Sequence, residues 1–400
     1  MASNRQLFLN HVAQTSDKPI GIEMVKAAGI HLWDADGKPY IDLISGFSVC
    51  NIGHSHPKVV KAVQDQAAEY MHLIVYGEFI EQPQVAYAKM LTDLLPPSLN
   101  SVYFTSSGTE ATEGAMKLAK RVTGQTKIIA FKNAYHGSTQ GALSVMGDEY
   151  WRNAYRPLLP DILHEDFNSS LAIEAIDAKT ACVILETVQA ESGINKPDPE
   201  WIKALAKKCE ETCTLLILDE IQAGFGRTGS LWAFEQYGIV PDILLLGKAL
   251  GGGMPLGAFI ADKALMNTLT HDPVLGHITT FGGHPVSCAA GKAALEVLLE
   301  GKWIDAAFEK EAFLKKTLVH PAIQHINTAG LWMSLQFATP ELNQRIVHQC
   351  VKNGLITDWF LFAPDRLRIA PPLITSMEEL ERICKMILQS IDEILAESLY

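Results

Sequence analysis

The chain lacks any run of roughly eighteen apolar residues, the minimum for a membrane-spanning helix, because its longest candidate, DILLLGKALGGGMPLG, is interrupted by Lys248. It also lacks an excess of basic residues. Lysine and arginine total 33 against 45 aspartates and glutamates, a formal charge of −12. This excludes the basic surface that nucleic-acid binding needs, so any anionic ligand has to be held by local donors. Cysteine is sparse and odd in number, seven in 400 residues. Cys209 and Cys213 are expected on one helix as buried or inert thiols, and no second pair completes a zinc site. With no apolar signal segment in MASNRQLFLNHVAQ, these thiols fit a reducing cytoplasm better than a disulfide framework. Low-complexity tracts, internal repeats and a GxxxxGK[ST] phosphate loop are all missing.

What is abundant is apolar content, 48% of the residues, enough to bury one large domain and a smaller one. Residues 1–55 read as an irregular arm and short strands, with IHLWDADGKPYIDL alternating across the turn signal Asp36-Gly37. A helix is expected from Pro57 with Val59, Val63, Ala67 and Tyr70 on its apolar face. His54 and His56, two apart, suit a turn or strand face and a structural role rather than a metal pair. From Pro83 to about residue 300, helices such as TEATEGAMKLAKRV and PEWIKALAKKCEE alternate with strands such as KIIAF and TACVILE. That alternation predicts an α/β domain over residues 56–300, with a mostly parallel sheet flanked by helices. Residues 301–400 mix helices and short strands, predicting a smaller α+β domain that the arm joins. Its last helix opens on the capping box Ser376/Glu379 and buries Leu380, Ile383, Ile387, Ile391 and Ile394.

The stretch 215–257 carries the chemistry. Two buried-strand runs each stop at one ionisable residue, Asp219 after LLIL and Lys248 after DILLLG, where parallel strands expose their carboxyl ends and ligands bind. A lysine desolvated there loses its proton more readily and becomes a Schiff-base nucleophile. An aspartate one strand away suits a cofactor with a positive ring nitrogen, as in pyridoxal phosphate. A structural ion pair between the two residues is the alternative.

Three further constellations sit at strand ends. In SSGTEAT, Ser107, Gly108 and Thr109 offer hydroxyls and backbone N–H groups at a helix N-terminus, suited to a phosphate or to ordinary N-capping. Tyr135, past strand KIIAF, is placed to stack on a flat ring or to bury as core. ILETVQAESG brings Glu186, Gln189 and Glu191 to another strand end, opposite LRIAPP with Arg368. A positioned guanidinium reads a substrate carboxylate through paired hydrogen bonds, and a nearby glutamate occupies it otherwise; a structural salt bridge is the alternative. The GFGRTG motif at 224–229 matches a dinucleotide pattern, yet no strand immediately precedes it and no acidic residue ends the next strand, which argues against a nicotinamide site.

Together these pieces, from GHSHP through SSGTEATEGAMKLAK, YHG, LDEIQAGFGRTG, LLLGKALGGGMPLGA and TTFGGHP to RIAPPL, resemble the class III pyridoxal-phosphate-dependent aminotransferases of fold type I. The resemblance implies that Lys248 forms the Schiff base with the cofactor and then shuttles the proton. It implies that Asp219 pairs with the pyridinium nitrogen, Gln222 bonds the ring hydroxyl and Tyr135 stacks on the ring. Ser107, Gly108 and Thr109 would hold the phosphate, with Thr280 reaching in from the second subunit of a homodimer. Arg368 would bind the carboxylate of glutamate or the oxo acid, with Glu191 masking it between half-reactions of a ping-pong scheme.

The departures bear on substrate. Ornithine and acetylornithine members usually carry an arginine where this chain has Ser138, and the ornithine type has a substrate-facing tyrosine at Phe47 and another near Asp17. Arg152 or Arg156 could supply the missing charge. The expected activity is transfer of an amino group, a terminal one, from a diamine, ornithine, acetylornithine or 4-aminobutyrate type donor to 2-oxoglutarate or pyruvate. YHGSTQGALS with RPLLP looks most like the diamine-using members. A class III decarboxylase or aminomutase, or a catalytically silent binding relative, are the competing readings.

Overall fold

The computed structural model describes residues 3–397. After a short helix (Asn4–His11), strands β1 (Met24–Ala28), β2 (His31–Asp34) and β3 (Pro39–Asp42) form an antiparallel meander. The turn between β2 and β3 is the expected one: Gly37 takes φ 82°, a conformation open to glycine. Seven strands then build the main sheet: β4 (Ser101–Thr105), β5 (Lys127–Phe131), β6 (Ile162–Glu165), β7 (Thr180–Glu186), β8 (Leu215–Asp219), β9 (Ile243–Leu246) and β10 (Gly257–Ala261). Their order is β4-β10-β9-β8-β7-β5-β6, parallel throughout except for β10, which runs against both neighbours.

Every residue of β7 and β9 is buried, which is why both read as continuous apolar runs. Alternate residues divide between the two faces. Cys182 and Ile184 pack with Ala115 and Met116 of the helix Gly108–Thr123, whereas Val183 and Leu185 pack with Ile202 and Leu205 of the helix Pro199–Thr212. Each such aliphatic side chain contributes roughly 1.5–3 kcal/mol relative to exposure. Gly114 lets the first of these helices approach closely, since a Cβ there would collide with the Phe259 ring.

The tail adds β11 (His325–Thr328), β12 (Met333–Gln336), β13 (Leu355–Ile356), β14 (Trp359–Phe360) and β15 (Ala363–Ile369). β13 pairs in parallel with β3, so the N-terminal meander and the tail share one sheet. The final helix, Met377–Glu397, opens on the Ser376/Glu379 capping box and buries all five expected residues.

Two expectations need correction. The helix from Pro57 ends at Glu69; Tyr70 is extended and caps it, and Gln66 rather than Ala67 is buried. Cys209 is buried, but Cys213 is exposed and left-handed at φ 56°, because it turns the chain at the helix end instead of riding the helix.

Candidate active site

The carboxyl ends of β5, β7, β8 and β9 converge on a cavity of about 300 Å³ lined by Gly108, Thr109, Tyr135, Gln222 and Lys248 among others. Register fixes part of this layout: Glu186 and Asp219 are direct neighbours at the ends of β7 and β8. Lys248 follows β9 after a single glycine, and it holds a left-handed φ of 49° that points to a constrained position.

Lys248 Nζ donates to Gln222 Oε1 at 2.6 Å. No ion pair to Asp219 forms among the described residues. Burial of the amine, partly offset by the charge of Glu191, pushes its pKa down to about 8. The amine thus loses its proton more readily than a solvated lysine, and the neutral form is the one in which nitrogen attacks a carbonyl.

Asp219 is buried and doubly held. Its Oδ2 lies 2.7 Å from His136 Nδ1, and its Oδ1 accepts the Ile221 N–H at 2.9 Å. Burial opposes charge on His136, but Asp219 overcomes it and raises the imidazole pKa. Glu186 accepts N–H groups from Tyr135 (3.0 Å) and Ala190 (2.9 Å), and burial lifts its pKa to about 7.

At the other end of the cavity, Ser107 caps the helix Gly108–Thr123, its hydroxyl accepting the Glu110 N–H at 3.4 Å. Gly108 and Thr109 line the cavity at this N-terminus, where unpaired N–H groups and the helix dipole favour an anion. The Thr109 hydroxyl is 2.7 Å from that of Thr139. Gly137, at φ 123°, folds over this cup, and a Cβ there would run into Thr109. Gln222 Nε2 and His136 Nε2 are buried without partners among the described residues. A phosphate-bearing heteroaromatic with a ring hydroxyl and a ring nitrogen fits these polar groups. Tyr135 lines the same cavity, its hydroxyl 3.1 Å from that of Ser138.

Arg368 forms a second centre. It is fully buried, with Nη2 3.0 Å from both carboxylate oxygens of Glu191 and Nε 2.8 Å from Asp358 Oδ1. The guanidinium carbon lies 4.1 Å from the ring centre of Phe360 and 5.1 Å from that of Phe47. Burial would raise the Glu191 pKa, but Arg368 holds it below the usual value; for Asp358 burial wins over the arginine and, with the like charge of Glu191 beside it, pushes the carboxyl up to about 6. Phe47 stands on a left-handed turn, Ser45 to Ser48, with φ between 52° and 64°. Asp42 Oδ1 holds that turn by accepting the N–H groups of Ile44 (2.8 Å) and Ser45 (3.0 Å).

The other residues singled out in the sequence lie outside this cavity. Thr280 is exposed and borders a different cavity, beside Ser106 and Glu110. Arg152 is bonded to Glu149, His164 and the Met146 carbonyl, and Arg156 to Glu149. Neither lines the Lys248 cavity. Asp17 is exposed in the arm, and Gln189 holds the Lys132 carbonyl. GFGRTG is a turn around buried Arg227, which binds the Leu331 and Pro371 carbonyls and Asn51. Sequence reasoning missed His136 and Asp358 as partners of Asp219 and Arg368. His136 had a signal, its place inside YHG at a strand end; Asp358 had none, because its role arises from hairpin pairing.

A lysine of lowered pKa facing an anion cup across the carboxyl edge of a parallel sheet is the layout of a fold type I transferase. Comparison narrows this: residues 12–391 match the class III aminotransferases, and the chain belongs to that family. It is 37% identical over 364 residues to the acetylornithine aminotransferase of Methanopyrus kandleri, covering 90% of this chain and 92% of the relative. It is 36% identical over 386 residues to ornithine aminotransferase 1 of Staphylococcus aureus, covering 91% and 93%. The ornithine aminotransferase structure of Toxoplasma gondii superposes with a TM-score of 0.91 at 28% identity, over 99% of this chain and 97% of that one. A thermostable (S)-enantioselective omega-transaminase of Thermomicrobium roseum gives 0.89 at 26% identity, over 97% of each chain. The protein is a pyridoxal-phosphate-dependent transaminase. No described helix is long and apolar enough to cross a membrane.

Proposed function

We propose that this enzyme moves a terminal amino group from an ornithine-type donor to a 2-oxo acid, 2-oxoglutarate or pyruvate, in two alternating half-reactions at one site. The observation that carries the reading is Arg368 caged by Glu191, near enough to Lys248 for both charges to shift its pKa. Such an arginine takes a carboxylate when Glu191 leaves and is neutralised when Glu191 returns. One site then serves an oxo acid and an amine in turn. The names of the acetylornithine and ornithine aminotransferase relatives support the donor class.

Bound pyridoxal phosphate supplies an electron sink for the charge left on the substrate carbon. Ser107, Gly108 and Thr109 would hold its phosphate, Tyr135 its ring face, Gln222 its ring hydroxyl and Asp219 its ring nitrogen. Lys248 would hold its aldehyde carbon and, once released, carry the proton at Nζ. We also infer a homodimer in which Thr280 completes the phosphate site from the second subunit. Exposed Met71, Phe79, Ile80, Val274 and Phe281 support an apolar interface. Seven free cysteines support a cytoplasmic setting.

A diamine donor is the second reading, favoured by Ser138 and by the engagement of Arg152 and Arg156 elsewhere. Single-turnover absorbance of the cofactor-loaded enzyme with ornithine, acetylornithine, 4-aminobutyrate and putrescine, without oxo acid, separates these. Bleaching by one amine and reversal by 2-oxoglutarate or pyruvate are expected. Carbon dioxide release, or turnover that needs no oxo acid, would replace transamination with decarboxylation or isomerisation.

A further inference from the structure

Two carboxylates share Arg368, and their attachments differ. Asp358 belongs to the same hairpin as the arginine: its carbonyl accepts the Arg368 N–H at 3.0 Å, and the neighbouring Thr357 hydroxyl donates to the Arg368 carbonyl at 2.6 Å. Its side chain takes Nε at 2.8 Å. Glu191 arrives from the separate segment after β7 and meets only Nη2 of the guanidinium; its Oε2 also accepts the Leu361 N–H at 3.0 Å and its carbonyl the Phe362 N–H at 3.0 Å, so a single backbone N–H besides Arg368 holds the carboxylate. Nη1 is buried and has no partner among the described residues. A carboxylate binds a guanidinium best through two parallel N–H bonds. With Nε occupied by Asp358 and one N–H of Nη2 donated to the Trp359 carbonyl at 3.2 Å, the edge left for such a pair is Nη1 with the other N–H of Nη2, and it opens when Glu191 moves off.

We propose that Asp358 is a positioning residue for substrate carboxylates: it fixes Arg368 through Nε, so that Glu191 alone moves away and the Nη1–Nη2 edge receives the incoming carboxylate. This rests on the reading of Arg368 as the oxo-acid site. Glu191 competes with the substrate, and Asp358 assists it, so removing the Glu191 carboxylate and displacing the Asp358 acceptor have opposite consequences. What Asp358 supplies is a hydrogen-bond acceptor at one place; its negative charge repels the ligand.

The test is calorimetric binding of glutarate and propionate, carboxylates without amino or oxo groups, to the cofactor-loaded enzyme. Glu191→Ala is expected to bind about tenfold more tightly, because the competent fraction of Arg368 rises. Asp358→Asn keeps an acceptor in place, loses the charge, and is expected to bind as tightly as the wild type or more so. Asp358→Glu keeps the charge but shifts the carboxylate by a methylene; misplacing the guanidinium is expected to weaken binding about tenfold. Tight binding by Asp358→Glu, or weak binding by Asp358→Asn, overturns the proposal while leaving the function intact. Failure of the wild type to bind either carboxylate overturns the oxo-acid reading and the proposal with it.

Discussion

The imidazole Nδ1 of His136 and the Oδ2 of Asp219 lie 2.7 Å apart, with both side chains buried. Asp219 therefore presents to the cavity a carboxylate whose orientation is fixed from behind, by an imidazole whose pKa it raises against the effect of burial. An oriented acceptor of this kind acts through its ligand, much as outer partners fix metal ligands.

From this pair we predict that His136→Ala loosens the cofactor by about tenfold, in line with the loss of an orienting partner. His136→Gln, which keeps a donor, should recover part of the loss. Equilibrium dialysis against pyridoxal phosphate measures both. Unchanged retention in the alanine variant would mean that Asp219 needs no support.

Lys248 carries a pKa near 8 because burial disfavours its charge, while Glu191 pushes the other way. Capture of free pyridoxal phosphate by the cofactor-free protein should then accelerate as pH rises through about 8. In Glu191→Gln the midpoint should move down, since a supporting negative charge is gone. Stopped-flow absorbance across pH 6 to 10 reads the midpoint, and an upward shift in the variant would contradict this electrostatic account. Lys248→Ala should lose catalytic turnover while keeping the wild-type melting profile.

Much of this site was legible because chemistry and strand grammar coincide. LLILD ends a buried strand on Asp219, and DILLLGK carries one a single glycine short of Lys248, so a one-dimensional pattern located both residues that line the cavity. The antiparallel direction of β10 was not legible, since a short apolar run such as GAFIA carries no mark of strand direction and only its pairing with Thr105 and Leu246 decides. Asp358 stayed hidden for a similar reason. It sits ten residues from Arg368 and meets it only once the hairpin closes. Phe47 was located by resemblance, but the left-handed turn that lays it on Arg368 was not, because only Gly46 in SGFS signals a positive φ.

Ser138 lines the cavity without charge, hydrogen-bonded to Tyr135 at 3.1 Å, and the two nearby arginines are held by Glu149. Ser138→Arg should therefore place a cation where a donor's distal carboxylate would sit. We expect kcat/KM for acetylornithine to rise relative to putrescine by about tenfold, the scale of one added charge-assisted hydrogen bond. Steady-state kinetics with both donors checks it. An equal change for the two amines would show that this wall does not read the donor's far end.

The left-handed turn beneath Phe47 gives a pH dependence with a defined sign. Asp42 holds the turn, and Asp42 is itself held by His54, whose Nε2 lies 2.7 Å from Asp42 Oδ2. Burial opposes the charge on His54, but hydrogen bonds with Asp42 and Cys50 raise its pKa to about 10. The folded value is above the unfolded one of about 6.5. The folded protein thus holds the proton more tightly, and the stability it confers is complete below pH 6.5 and lost as pH climbs toward 10. Thermal melts should show the wild-type midpoint falling across that window. His54→Gln should start lower at pH 6.5 and fall less steeply, and it should raise the KM for the oxo acid, because Phe47 leans on Arg368 from this turn. Parallel melting curves for the two proteins would show that the pair does not titrate in this range.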